Sequence, residues 1–192
     1  MNIKKSLLFI LVGLFVCFIV AGCATKPVSQ GSKDISTLYT VTKHEDHTYS
    51  YSLVDLNGNI LYKNEHAVRE PNIHMVSANV YGLITQAGTG RSTNWSVFCD
   101  VENGKVSETF RYVLGAQGDY VVYGDYKDGK HFIVVQHIFD KSVYSKTYEL
   151  ENVSPVAADF ALSCEFDGDH NATITYLTGK AYTETQLTIE IP

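Results

Sequence analysis

Hydrophobic and polar positions follow two patterns along this chain, and the change falls near residue 22. Leu7 to Ala21 is an apolar run, relieved only by Gly13, that follows Lys4 and Lys5. Beyond residue 37 apolar and polar side chains alternate instead, as in Tyr49-Ser50-Tyr51-Ser52-Leu53, Trp95-Ser96-Val97-Phe98-Cys99 and Thr173-Ile174-Thr175-Tyr176. Successive side chains of a strand point to opposite faces of its sheet, so a period of two predicts strands buried on one face. No window of this part carries an i, i+3, i+4, i+7 stripe long enough to predict a helix. Asn57-Gly58, Asn103-Gly104, Asp128-Gly129, Asp167-Gly168 and Thr178-Gly179 each sit between apolar segments. Asn-Gly and Asp-Gly supply the positive φ of tight hairpins, so these signals predict an antiparallel, hairpin-rich meander.

The predicted strands also recur. Tyr51 to Ile60 echoes Ser96 to Val106, then Val135 to Val143, then Ile174 to Tyr182. A short apolar strand precedes each of the last three: Val80 to Ile84, Asp119 to Tyr123 and Asp159 to Ser163. A period of about 40 residues with about four strands per unit is what a propeller blade needs. The units resemble β-propeller blades, whose last hairpin often reads Asp, two or three residues, then Gly-Lys. That resemblance is to an architecture, and it implies about four repeats between Thr37 and Pro192. The alternative is a β-sandwich or barrel whose hairpins look alike because all hairpins share turn residues. The expected fold class is therefore all-β, an antiparallel hairpin meander that is either propeller-like or a sandwich or barrel.

At the N-terminus, 15 apolar residues fall short of the roughly 18–20 that span a bilayer, and match the core of a signal peptide. The run ends in Val20-Ala21-Gly22-Cys23, which resembles the lipobox of bacterial lipoproteins: an aliphatic residue, two small residues, then cysteine. The resemblance implies a thioether-linked diacylglycerol on Cys23 and cleavage on its amino side. A second cysteine, Cys17, follows the bulky Phe15 and Val16, which do not fit a peptidase requiring an uncrowded backbone. The competing reading is an uncleaved membrane helix with Cys23 as an ordinary cysteine. Residues 23–36 hold Pro27, Gly31 and several Ser, Gln and Lys residues, the composition of a flexible tether. The expected organisation is a signal peptide at 1–22, a lipidated N-terminus and tether at 23–36, and one all-β domain at 37–192. Such a chain would be held at the cell membrane or outer membrane through its lipid, outside the cytoplasm.

Composition narrows the partners. The full chain has 15 Lys+Arg against 21 Asp+Glu, and loss of Lys4 and Lys5 makes the mature form more acidic still. An acidic balance disfavours nucleic acid and anionic membrane surfaces as partners. All 13 Tyr and the single Trp lie beyond residue 36, which adds to the case for sheet. Once Cys17 and Cys23 are set aside, Cys99 and Cys164 remain. Outside the cytoplasm they could form a disulfide; the alternative is two buried, reduced thiols serving as small hydrophobes.

Candidate chemistry is sparse. His44-Glu45-Asp46-His47 is the densest set of metal-type ligands, and His44 and His47 with the carboxylates would suit Zn²⁺. It sits between two strands, so a solvated hairpin tip is the competing reading. Asp125, Asp128, Asp167 and Asp169 could offer oxygens to Ca²⁺, but no Asp-x-Asp-x-Asp-Gly loop is present and Asp is ordinary at turns. Gly88-Thr89-Gly90-Arg91-Ser92 is similar to a phosphate loop, yet a strand follows instead of a helix N-terminus. It reads as a hairpin loop, with Arg91 and Trp95 as surface contacts. No Gly-x-Ser-x-Gly or His-Glu-x-x-His motif occurs. Tyr81, Tyr112, Tyr120, Tyr123, Tyr126, Tyr144 and Tyr148 are candidate binding aromatics, set against their ordinary role as sheet filler.

These readings favour a non-enzymatic, membrane-anchored module that binds a protein or a glycan through loops on a rigid frame. No cofactor is expected. Two alternatives stand beside it: an envelope scaffold or assembly subunit, and a hydrolase or metal-dependent enzyme with a site at the centre of the repeats.

Overall fold

Alternation along the chain turns into four antiparallel sheets in the computed structural model, which describes residues 35–86, 93–154, 160–168 and 170–192. Cys17, Cys23, the tether up to residue 34, the Gly88 to Ser92 segment with Arg91, and Asp169 lie outside the described residues. A three-residue 3-10 turn, Ile35–Thr37, leads into the first sheet. That sheet is β1 (Tyr39–Lys43), β2 (Tyr49–Val54) and β3 (Ile60–Ala67), paired in chain order. The second holds β4 (Asn72–Ser77), β5 (Val80–Gln86), β6 (Asn94–Asp100) and β7 (Lys105–Val106), with β8 (Phe110–Arg111) also paired to β6. The third is β9 (Val113–Gln117), β10 (Tyr120–Lys127), β11 (Lys130–His137) and β12 (Ser145–Leu150). The fourth is β13 (Ala161–Phe166), β14 (Asn171–Thr178) and β15 (Thr183–Glu190). Among the described residues no helix is long and apolar enough to cross a membrane.

Each sequence repeat is thus one meander sheet. Four of the five turn glycines adopt the positive φ that their hairpins need: Gly58, Gly104, Gly129 and Gly179. At the fifth turn the left-handed residue is His170, with a φ of 61°. Carboxylates finish these turns. Asp55 Oδ1 accepts hydrogen bonds from the amides of Asn57 and Asn59, and its Oδ2 accepts from Asn59 Nδ2. Asp100 and Asn103 repeat that clamp, as do Asp167 and Asn171. Asx turns of this kind let a side chain take over the backbone's hydrogen bonding at a bend.

The sheets stack in chain order through three cores. Leu38, Tyr51 and Leu53 meet Leu83, Val97 and Cys99 between the first and second sheets. On the other face of the second sheet, Val80, Phe98 and Phe110 meet Val121 and Ile138. Val122, Ile133 and Val135, from the opposite face of the third sheet, meet Phe160, Ala172, Ile174 and Tyr176 of the fourth. Each fully buried Leu, Ile or Phe contributes about 1.5–3 kcal/mol through loss of apolar surface to water. Closure into a ring is not seen: among the described residues none of the three cores joins the fourth sheet to the first. The register instead leaves polar residues on the far faces. Thr40 pairs with Ser52 on the first sheet, their hydroxyls 2.9 Å apart, and Thr173 pairs with Thr188 on the fourth, 3.1 Å apart.

No disulfide joins Cys99 and Cys164. Cys99 packs in the first core and Cys164 against the last.

Tyr112 fastens three sheets at one point. Its backbone has a φ of 53°, its N–H donates to Asn94 O, and its carbonyl accepts from Gly124 N. Its phenol oxygen accepts from Ala161 N at 2.9 Å, and its ring meets Phe160 edge-on with centroids 5.0 Å apart. Glycine at 124 is what admits this ring, since a Cβ there would lie 2.5 Å from it. A strand glycine marks a close approach of this kind.

Candidate functional site

Two open grooves lie at hairpin ends, one on the first sheet and one on the third. The first has a volume of about 590 Å³ and is lined by His44, Glu45, Asp46, Thr48, Ser50, Glu65 and His66. The β1–β2 turn supplies most of this lining. His44 N donates to Thr48 O, and His47 N donates to His44 O, so His47 takes the left-handed turn position with a φ of 66°. Pairing of β2 with β3 brings in Glu65 and His66, which sequence adjacency could not reveal.

Hydrogen bonding decides what the first groove can do. Ser50 Oγ lies 2.6 Å from His44 Nε2, the spacing of a nucleophile and its base. Ser50 Oγ also lies 3.0 Å from Glu65 O, a carbonyl that competes with the imidazole for the one hydroxyl proton. Asp46 is likewise engaged by the Thr48 hydroxyl and amide, and these bonds hold its carboxyl below the ordinary range. Among the described residues no group of three or more His, Cys, Asp or Glu side chains could hold a metal ion, so His44 and His47 lack a ligand set for Zn²⁺. The hairpin-tip reading fits this geometry. The calcium candidates fare no better: Asp125 accepts from Tyr126 N, Asp128 holds a turn with a φ of 52°, and Asp167 is bound to Asn171.

At the far end of the third sheet, the second groove has a volume of about 520 Å³. Its lining combines the β10–β11 hairpin end, with Tyr126, Lys130 and His131, and the end of β12 with Glu149, Glu151 and Asn152. Tyr126 pairs across the hairpin with His131, their ring centroids 4.8 Å apart. His131 is itself wedged against the buried Phe160 at 4.6 Å, and burial pushes its imidazole below the ordinary histidine value, keeping it uncharged near neutrality. Lys130 Nζ and Glu149 Oε1 form an ion pair of 2.7 Å on the groove wall.

Of the seven candidate tyrosines, only Tyr126 is exposed. Tyr81 and Tyr112 belong to the cores. Tyr120 stacks edge-on against His137 and Tyr144, and Tyr123 donates its hydroxyl to the buried Gln136. Tyr148 lies half-buried under Lys146, whose ammonium is 5.0 Å from the ring centre. Trp95 is half-buried in β6, opposite Thr85 and Arg111. Among the described residues, the buried oxygens Asn94 Oδ1, Ser96 Oγ and Ser154 Oγ have no hydrogen-bond partner, and they line neither groove. Comparison with protein-family models, curated proteins and solved structures finds no match to this chain.

Proposed function

We propose that this chain is an exported, lipid-anchored module that binds a ligand outside the cytoplasm, with a stack of sheets as frame and hairpin ends as the recognising surface. Residues 1–22 and the lipobox cysteine Cys23 support the export and anchoring part of this reading. The observation that carries the binding part is the third-sheet groove. There an exposed aromatic ring and an ion pair stand on strands that a buried core holds in place, beside the amide of Asn152 in the turn that follows β12. A surface prepared this way loses little conformational freedom when a ligand arrives. Catalysis is less well served: the hydroxyl of Ser50 is shared between His44 Nε2 and the Glu65 carbonyl at an exposed hairpin tip.

The test has two parts. Cys23→Ser should leave an uncleaved, unlipidated precursor, and a normal mature mass in that variant would overturn the anchor. In-cell cross-linking of the tagged protein should capture a ligand set that changes when Tyr126 and Glu149 are replaced together by Ala and Gln. An unchanged set would overturn the binding role of this groove.

A further inference from the structure

Resting on that reading, we propose that the third-sheet groove recognises a neutral hexose or N-acetylhexosamine unit of a glycan, with the Tyr126 ring as its stacking face. A pyranose has one chemical demand that few ligands share. It offers a patch of C–H bonds on one face and a rim of hydroxyls, each both donor and acceptor. The protein must answer with a flat apolar surface ringed by fixed polar groups.

The groove meets each part of that demand. Tyr126 is 63% exposed, whereas the other tyrosines of the third sheet are half-buried. Its ring does not swing freely, because it is braced by His131, which is braced in turn by Phe160. The rim is supplied by Lys130 and Glu149, already drawn together at 2.7 Å, and by Glu151 and Asn152. Ammonium, carboxylate and amide together provide donors and acceptors for adjacent hydroxyls, and Asn152 is positioned by its own left-handed turn, with a φ of 53°. The volume of about 520 Å³ falls within the roughly 300–1,000 Å³ of small-ligand clefts.

Charge selects the class of sugar. Two carboxylates face one ammonium on the rim, and the imidazole beneath is uncharged near neutrality. A sialic acid, uronic acid or sulfated sugar would bring a further negative charge to this rim and be repelled. A neutral or N-acetylated unit brings none.

The experiment uses the full chain in a zwitterionic detergent that carries no sugar, applied to an array of neutral, N-acetylated, sialylated and sulfated oligosaccharides. Binding to one or more neutral or N-acetylated members is expected, and the best of these is then titrated calorimetrically. Tyr126→Ala should weaken it about ten-fold, the loss of one aromatic contact. Tyr126→Phe should keep the affinity within about two-fold, because the ring and not the hydroxyl is the platform. Glu149→Gln should weaken binding, and Tyr182→Ala, which removes an exposed tyrosine from the turn between β14 and β15, should leave it unchanged. Circular dichroism confirms that each variant is folded. The saccharide assignment is overturned if no neutral glycan binds, if anionic glycans bind more tightly, or if Tyr126→Ala binds as well as the parent. The wider binding reading survives such a result when the cross-linked ligand set still depends on Tyr126 and Glu149.

Discussion

Replacing Tyr112 by Phe removes one oxygen and leaves the shape of the core intact. The oxygen is the acceptor for Ala161 N at 2.9 Å, in a place where both residues are buried. Without it the amide keeps its desolvation cost and loses its partner, a penalty of about 1–3 kcal/mol. Taking about 2 kcal/mol, and about 3 °C per kcal/mol for a domain of this size, the melting temperature should fall by about 6 °C. Urea denaturation followed by circular dichroism gives the free energy directly. The midpoint should move to lower urea with an unchanged slope, since the surface exposed on unfolding is the same. Amide exchange at Ala161 should quicken by the same free energy. Tyr112→Ala should cost more, about 3–5 kcal/mol, because the ring also packs on Phe160 and over Gly124. A Tyr112→Phe variant within 0.5 kcal/mol of the parent would refute this reasoning.

Gly124→Ala places a methyl carbon 2.5 Å from the Tyr112 ring and should destabilise by about 1–3 kcal/mol; the cost should shrink when Tyr112 is already Ala, and an equal cost in both backgrounds would place the strain elsewhere. Stability should fall on acidification. Asp46, Asp55 and Asp140 are held below the ordinary carboxylate range, first by the side chains of Thr48, Asn59 and Ser142, so the unfolded chain takes up protons first as pH drops through about 3.9. Their contribution is complete above that value and drains below it, and a urea midpoint that stays flat from pH 5 to pH 3, on the order of that window, would contradict it. His74, packed against Gly82 and depressed by burial, adds an earlier decline as pH passes below about 6.5, which His74→Phe should remove. Burial pushes the Cys99 thiol up to about 12, so thiol reagents at pH 8, about four units lower, should leave Cys99 unmodified in the native protein and label it on unfolding; rapid native labelling would mean that the first core opens.

Much of the meander was legible because its signals are local. Asn57-Gly58, Asn103-Gly104 and Asp128-Gly129 demand positive φ wherever they stand, and each closes a hairpin in the structure. The recurrence near 40 residues reads out directly as four sheets. Which sheets lie inside the stack was less legible. Trp95 to Cys99 looks alternating, yet Ser96, Val97, Phe98 and Cys99 are all buried, because the second sheet is covered on both faces. Strict alternation survives in β2 and β14, on the end sheets, while Val121-Val122 and Ile133-Val134-Val135 are the unbroken runs of an interior sheet. Exposure of Tyr126 depends on those coverings, so seven tyrosines look alike until the sheets are stacked. Glu149 and Asn152 reach it only through the pairing of β11 with β12. Gly82, Gly115 and Gly124 were equally silent, since the meaning of each lies in the aromatic ring facing it.

Because, among the described residues, each core joins a sheet to its neighbour in the chain, the four sheets behave like a short row of books. Lifting off an end sheet bares one core, whereas disturbing the second or third bares two. Cooperativity in such a row is shared between adjacent members, and breathing begins at the ends. The groove beside Tyr126 sits on the third sheet, an inner member, yet part of its rim, Glu151 and Asn152, lies on the link to the last sheet. When that outermost sheet loosens, Phe160 withdraws its support from His131 and Tyr126, and the wall formed by Glu151 and Asn152 gains play with it. A ligand clasped by both walls would therefore steady the far end of the row from a distance, and occupancy becomes a brake on fraying.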